Sequence, residues 1–62
     1  MIIGNILIVE DDAVNAESMK DNLEDMQYNV VLAADAAQAK SIVKTQTFDL
    51  IMMDVWMPGQ DG

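Results

Sequence analysis

The residues Ile6-Leu7-Ile8-Val9 form an unbroken apolar run that is closed at once by three acids, Glu10-Asp11-Asp12. A strand with one wet face alternates apolar and polar side chains. A run that is apolar at every position instead predicts a strand covered on both faces, the habit of parallel sheets packed between helices. Val30-Val31-Leu32 is a second β-rich run, and Phe48-Asp49-Leu50-Ile51-Met52-Met53-Asp54 is a third that again ends in an acid. Helix signals fall between these runs. Asp12 is placed to cap a helix that starts near Ala13 and ends near Gln27. Its apolar stripe is Ala16, Met19, Leu23 and Met26, and its other face carries Glu17, Lys20, Asp21, Glu24 and Asp25. Asp35 is placed to cap a second helix from Ala36, with Ala36, Ala39 and either Ile42 or Val43 on the inner side. Lys40 and Lys44 stand toward the C-terminal half of that helix, where cations complement its dipole.

The order is therefore β-α-β-α-β, and strands alternating with helices over short connections imply parallel pairing through right-handed crossovers. The expected class is α/β, the beginning of a doubly wound parallel sheet of strand order 2-1-3 with its two helices on opposite faces. Such sheets bind ligands beyond the carboxyl ends of their strands, at the switch point between strands one and three. Glu10, Asp11 and Asp54 all fall at that place.

Composition narrows the chemistry. The 62 residues hold no cysteine and no histidine, which removes disulfides, cysteine-bound zinc and histidine acid/base catalysis. A net charge of −8 without a Lys/Arg cluster argues against direct contact with nucleic acid or an anionic membrane surface. The start Met1-Ile2-Ile3-Gly4-Asn5 has no basic segment, and the apolar run after it is too short for a signal or a span, so a cytoplasmic location is expected. A chain this short offers little enclosed cleft, which weighs against an independent hydrolase.

Three carboxylates converging at the ends of adjacent strands repel one another unless a cation offsets them. Only oxygen ligands are present, so the candidates are the hard cations Mg2+, Mn2+ and Ca2+. Mg2+ is favoured, because it takes one or two carboxylates and fills the rest of its shell with water and phosphate oxygens. A carboxylate beside it can also attack phosphorus to form an aspartyl phosphate. The plainer alternative is that acids after strands are solvated turn residues or helix caps, and for Asp12 the capping role is preferred to metal ligation. Met19, Met26, Met52 and Met53 read as core filler. Trp56 and Met57 suit either packing or an exposed contact.

The strings Ile6-Leu7-Ile8-Val9-Glu10-Asp11-Asp12 and Asp49-Leu50-Ile51-Met52-Met53-Asp54-Val55-Trp56-Met57-Pro58-Gly59-Gln60-Asp61-Gly62 together resemble the receiver domain of two-component response regulators. The resemblance covers nearly the whole chain and implies a flavodoxin-like fold. It implies that Asp54 is the phosphoacceptor, taking a phosphoryl group from a phosphohistidine on a sensor histidine kinase or a histidine phosphotransfer protein. It further implies that Asp11 ligates Mg2+ directly, that Glu10 is the second pocket acid, often acting through water, and that the backbone carbonyl of Trp56 is the main-chain metal ligand. On this reading the chain is a phosphoacceptor rather than an enzyme.

Family domains run to about five strands and five helices, and they place a Ser or Thr after the fourth strand and a Lys after the fifth. Residues 1–62 correspond to the first three strands and two helices, so a truncated receiver domain is expected, with phosphoryl capture weakened. The third strand would then be an apolar edge open to pairing. The expected assembly is a homodimer joined along that edge, with a six-stranded sheet of order 2-1-3-3′-1′-2′, or a complex with a complementing second half. An antiparallel joint is preferred because it sets the two acidic pockets at opposite ends. The alternative function is a catalytically inactive half-domain that serves as a self-assembling interaction module.

Overall fold

The computed structural model describes residues 1–54, with Asp54 described by its backbone alone. The predicted loop from Met57 to Gly62, and Trp56 before it, lie outside the described residues. Five elements follow one another: β1 (Gly4–Glu10), α1 (Ala13–Asp25), β2 (Tyr28–Ala33), α2 (Ala36–Val43) and β3 (Leu50–Asp54). The three strands are parallel and ordered β2-β1-β3, as the sequence predicts.

The apolar run of β1 occupies the middle of the molecule, and Ile6, Leu7, Ile8 and Val9 are all fully buried. Alternation along the strand divides them between two cores. Ile6 and Ile8 join Val30 on one face, packed by Met19 and Leu23 of α1 and by Leu32 and Met52. Leu7 and Val9 join Ala33 on the other face, packed by Ala39 and Ile42 of α2 and by Phe48. The helices thus cover opposite faces, which is why the stretch from Ile6 to Val9 is apolar at every position.

Both helices begin at their expected caps. The Asp12 carboxylate accepts the Val14 and Asn15 backbone N–H groups at 2.9 and 3.2 Å. The Asp35 carboxylate accepts the Gln38 N–H at 2.8 Å, and Gln38 Oε1 in turn accepts the Ala34 N–H at 2.8 Å. This reciprocal pair resembles a capping box and fixes the turn between β2 and α2. On the surface of α1, Lys20 and Glu24 form an exposed pair one turn apart, at 3.1 Å. Hydrogen bonding and charge from Glu24 hold the Lys20 ammonium above the usual lysine range.

Two boundaries differ from the sequence expectation. Helix α1 stops at Asp25 rather than near Gln27, so Met26 leaves the predicted stripe and is 56% exposed. The cause is a left-handed turn at Gln27, with φ of 72°, whose carbonyl accepts the Ile3 N–H at 2.8 Å. Glycine usually supplies this conformation. A non-glycine residue there is strained by about 1 kcal/mol, and glycine's greater freedom in the unfolded chain offsets part of any relief. Gln27→Gly is therefore expected to raise stability by roughly 0.5 kcal/mol, read as a higher urea midpoint at unchanged slope. In α2, where the sequence left Ile42 and Val43 as alternatives, Ile42 packs inward and Val43 is exposed. The second differing boundary is that of β3, which begins at Leu50, with Phe48 contributing to the core from the connection before it.

Among the described residues β3 pairs only with β1, and its Leu50, Ile51 and Met53 are 52%, 47% and 64% exposed. Beside it an apolar groove of about 260 Å³ runs along α2, lined by Leu7, Val9, Ala39, Val43, Ile51 and Met53 among others. Among the described residues, no helix is long and apolar enough to cross a membrane.

Candidate functional site

The carboxyl ends of β1 and β3 carry the predicted acids. Glu10 closes β1 and is the register partner of Asp54 across the β1–β3 pair. Adjacent strands lie roughly 4.8 Å apart, so the pairing sets the backbone of Asp54 directly beside that of Glu10. Asp11 is the next residue along the chain, in the connection to α1, and is exposed. Backbone topology thus brings Glu10, Asp11 and Asp54 to one end of the sheet. The side chain of Asp54 and the Trp56 carbonyl lie outside the description. Among the described residues, no three metal-ligating side chains stand together.

Glu10 is only 6% exposed, and burying a carboxylate is costly unless it is hydrogen-bonded. Two donors meet that need. Its Oε1 accepts the Asp12 N–H at 3.1 Å, and its Oε2 accepts Asn15 Nδ2 at 3.0 Å. The side chain is thereby tied to the first turn of α1, the same turn that Asp12 caps. Asp11 has no such engagement, since among the described residues its carboxylate accepts no hydrogen bond. The acids therefore divide into three kinds: one fixed and buried, one exposed and free to ligate, and one spent on capping a helix.

Next to them, an open cleft of about 230 Å³ lies between the starts of the two helices, lined by residues including Glu10, Asp11, Glu17, Ala33 and Gln38. None of the three lysines lines it. Carboxylates without nitrogen or sulfur donors suit a hard cation that keeps several of its own waters. With both Glu10 oxygens already accepting hydrogen bonds, contact through water fits this residue better than direct ligation, whereas Asp11 is unencumbered.

Asn15 was not singled out by its sequence signal. It lies five residues beyond Glu10 on a helix, and only the fold returns its amide to that carboxylate. Asn15→Ala leaves one oxygen of a buried carboxylate without its donor and is expected to cost about 1–3 kcal/mol. Chemical unfolding monitored by circular dichroism measures the loss.

A family model described as the response regulator receiver domain matches residues 6–62. The chain is 40% identical over 57 residues to the sensor histidine kinase GacS of Pseudomonas protegens, covering 92% of this chain and 6% of that protein. It is 40% identical over 57 residues to the uncharacterized transcriptional regulatory protein YbdJ of Bacillus subtilis, covering 92% of this chain and 25% of that one. The aerobic respiration control protein ArcA of Escherichia coli is 36% identical over 58 residues, or 94% of this chain and 24% of ArcA. The chain spans at most about a quarter of the length of these relatives. No solved structure gives a significant match.

Proposed function

The chain belongs to the response regulator receiver domain family, a family of phosphorelay signalling modules, and from that premise we propose that it accepts a phosphoryl group on Asp54. The supporting observation is the register of β3 on β1, which sets Asp54 opposite Glu10 and one strand away from Asp11. An Asp54 oxygen attacks phosphorus while the bond from phosphorus to the donor histidine nitrogen breaks. The imidazole leaves with the electron pair, and the product is an aspartyl phosphate. Asp11, Asp54 and the Trp56 carbonyl are the proposed ligands of Mg2+, with Glu10 holding one of its waters. When bound, Mg2+ neutralises charge on the phosphoryl oxygens. Glu10 is kept in place by Asp12 and Asn15.

On this reading the chain is a phosphoacceptor domain rather than an enzyme, it works in the cytoplasm, and its partner is a sensor histidine kinase or a histidine phosphotransfer protein. Residues 1–62 are then the first three strands and two helices of a receiver domain. The test is incubation with acetyl phosphate and Mg2+, followed by mass spectrometry of intact protein and peptides. One phosphoryl group at Asp54 is expected, absent in Asp54→Asn and absent when Mg2+ is chelated. An unmodified wild-type chain, or modification that survives Asp54→Asn, contradicts the proposal.

One observation favours a second reading. The open edge and half-exposed apolar side chains of β3 suit an interaction half-domain that pairs with a second copy along β3, or with a complementing segment. Antiparallel pairing gives the order 2-1-3-3′-1′-2′. Light scattering after size-exclusion chromatography decides this: a dimer unaffected by Asp11→Ala and Asp54→Ala supports it, and a compact monomer contradicts it.

A further inference from the structure

We propose that Asp49 is a positioning residue that sets the register of β3 on β1 and thereby aligns Asp54 with Glu10; this rests on Asp54 being the phosphoacceptor. β3 is a strand whose hydrophobic pattern says little about register. Leu50, Ile51, Met52 and Met53 are apolar without alternation, so a slip by one residue exchanges apolar for apolar on both faces. Among the described residues, one neighbouring strand holds it. Yet a one-residue slip would carry Asp54 about 3.3 Å along the sheet and turn it to the opposite face.

A specific lock stands at the other end of the strand pair. The Asn5 N–H donates to Asp49 Oδ2 at 2.8 Å, and the Asp49 N–H donates to the Asn5 carbonyl at 2.8 Å. In a parallel ladder that continued, the Asn5 N–H would go to the carbonyl two residues before Asp49, that of Thr47. The Asp49 carboxylate takes the place of that carbonyl, so it ends the ladder and defines its first rung. Asn5 Oδ1 also accepts Asn29 Nδ2 at 3.1 Å, which ties β2 into the same corner. Gly4 leaves room for the arrangement, since a Cβ there would stand 3.2 Å from Asp49 Oδ2. The bonded pair of Asn5 and Asp49 stands immediately before the first ladder pair, Ile6 with Leu50, and the same ladder ends on Glu10 with Asp54. Locking the first pair therefore specifies the last.

The test compares the wild-type chain with Asp49→Ala and Asp49→Asn, the latter keeping a side-chain oxygen for the Asn5 N–H. Cross-strand nuclear Overhauser contacts report whether Glu10 still pairs with Asp54, and acetyl phosphate with Mg2+ reports the rate at Asp54. Asp49→Ala is expected to keep both helices by circular dichroism but to lose the Glu10–Asp54 contacts and slow modification by about tenfold or more. Asp49→Asn is expected to restore both. Unchanged contacts and rate in Asp49→Ala overturn the proposal, as does failure of Asp49→Asn to restore them. If Asp49→Ala does not fold, hydrogen exchange in the wild type decides. Protected Asn5 and Asp49 amides support the lock, and a freely exchanging Asn5 amide beside protected Leu50–Met53 amides overturns it. The contacts and the exchange do not depend on phosphorylation. A wild-type chain that takes up no phosphoryl group removes the role proposed for Asp54 while still deciding whether Asp49 sets the register.

Discussion

Leu7→Ala is expected to leave little of the chain folded at room temperature. Leu7 lies in the central strand, is wholly buried, and sits in the core facing α2 with Val9 and Ala33. Removing its isobutyl group forfeits burial and opens a cavity that α2 must collapse to fill, a change that costs about 2–5 kcal/mol. A chain of this size without disulfide or metal staple has a total stability of only about 3–5 kcal/mol or less. The loss is therefore comparable with all the stability available. Val14→Ala provides the contrast, because Val14 is highly exposed on α1 and its truncation should change stability by less than about 0.5 kcal/mol. Urea titrations followed by circular dichroism should show a cooperative transition for the wild type and Val14→Ala and none for Leu7→Ala.

Asp11→Asn should act in the opposite manner, leaving the fold intact and removing the chemistry. Its carboxylate is exposed and, among the described residues, holds no structural hydrogen bond. Loss of a supporting residue behind a metal ligand typically weakens binding by about 10–100-fold, and loss of the ligand's own charge should do no less. Mg2+ affinity is accordingly expected to fall by at least about tenfold, with the rate of Asp54 modification falling alongside it at subsaturating Mg2+. Without metal, the substitution removes one of several clustered negative charges and should leave the urea midpoint unchanged or slightly raised. Isothermal titration with Mg2+ and the urea curve together separate these effects. A large drop in stability would assign Asp11 a structural role instead.

Much of the architecture was legible in the sequence because the informative patterns are local. An apolar run without alternation required a doubly covered strand, and Ile6 to Val9 are buried between two helices. Asp12 and Asp35 precede apolar-periodic segments, and both cap the helices they introduce. Parallel pairing followed from handedness and connection length, and the expected order 2-1-3 sets Glu10 and Asp54 on the same rung.

What was not legible depends on conformations or distances that no local pattern encodes. α1 ends on a left-handed glutamine, where glycine would have announced the turn. Ile42 and Val43 differ by one helical step, and only the sheet beneath decides which turns inward. Asn15 reaches Glu10, and Asp49 reaches Asn5, through hydrogen bonds that exist only once the elements have packed. These polar contacts flank the same β1 strand at its two ends, one on the carboxylate of Glu10 and the other at the start of β3.

The central claim is that the acids at the carboxyl ends of β1 and β3 form one Mg2+ site in this chain. Titration with Mg2+ followed through backbone amide resonances tests it most directly. The account predicts saturable shifts at Glu10, Asp11 and Asp54 with a single apparent Kd, lost in Asp11→Asn, while Glu17, Asp21 and Glu24 on the outer face of α1 remain unmoved. Shifts spread evenly over the acidic face of α1, or no saturable shift at Glu10, Asp11 and Asp54, would contradict it.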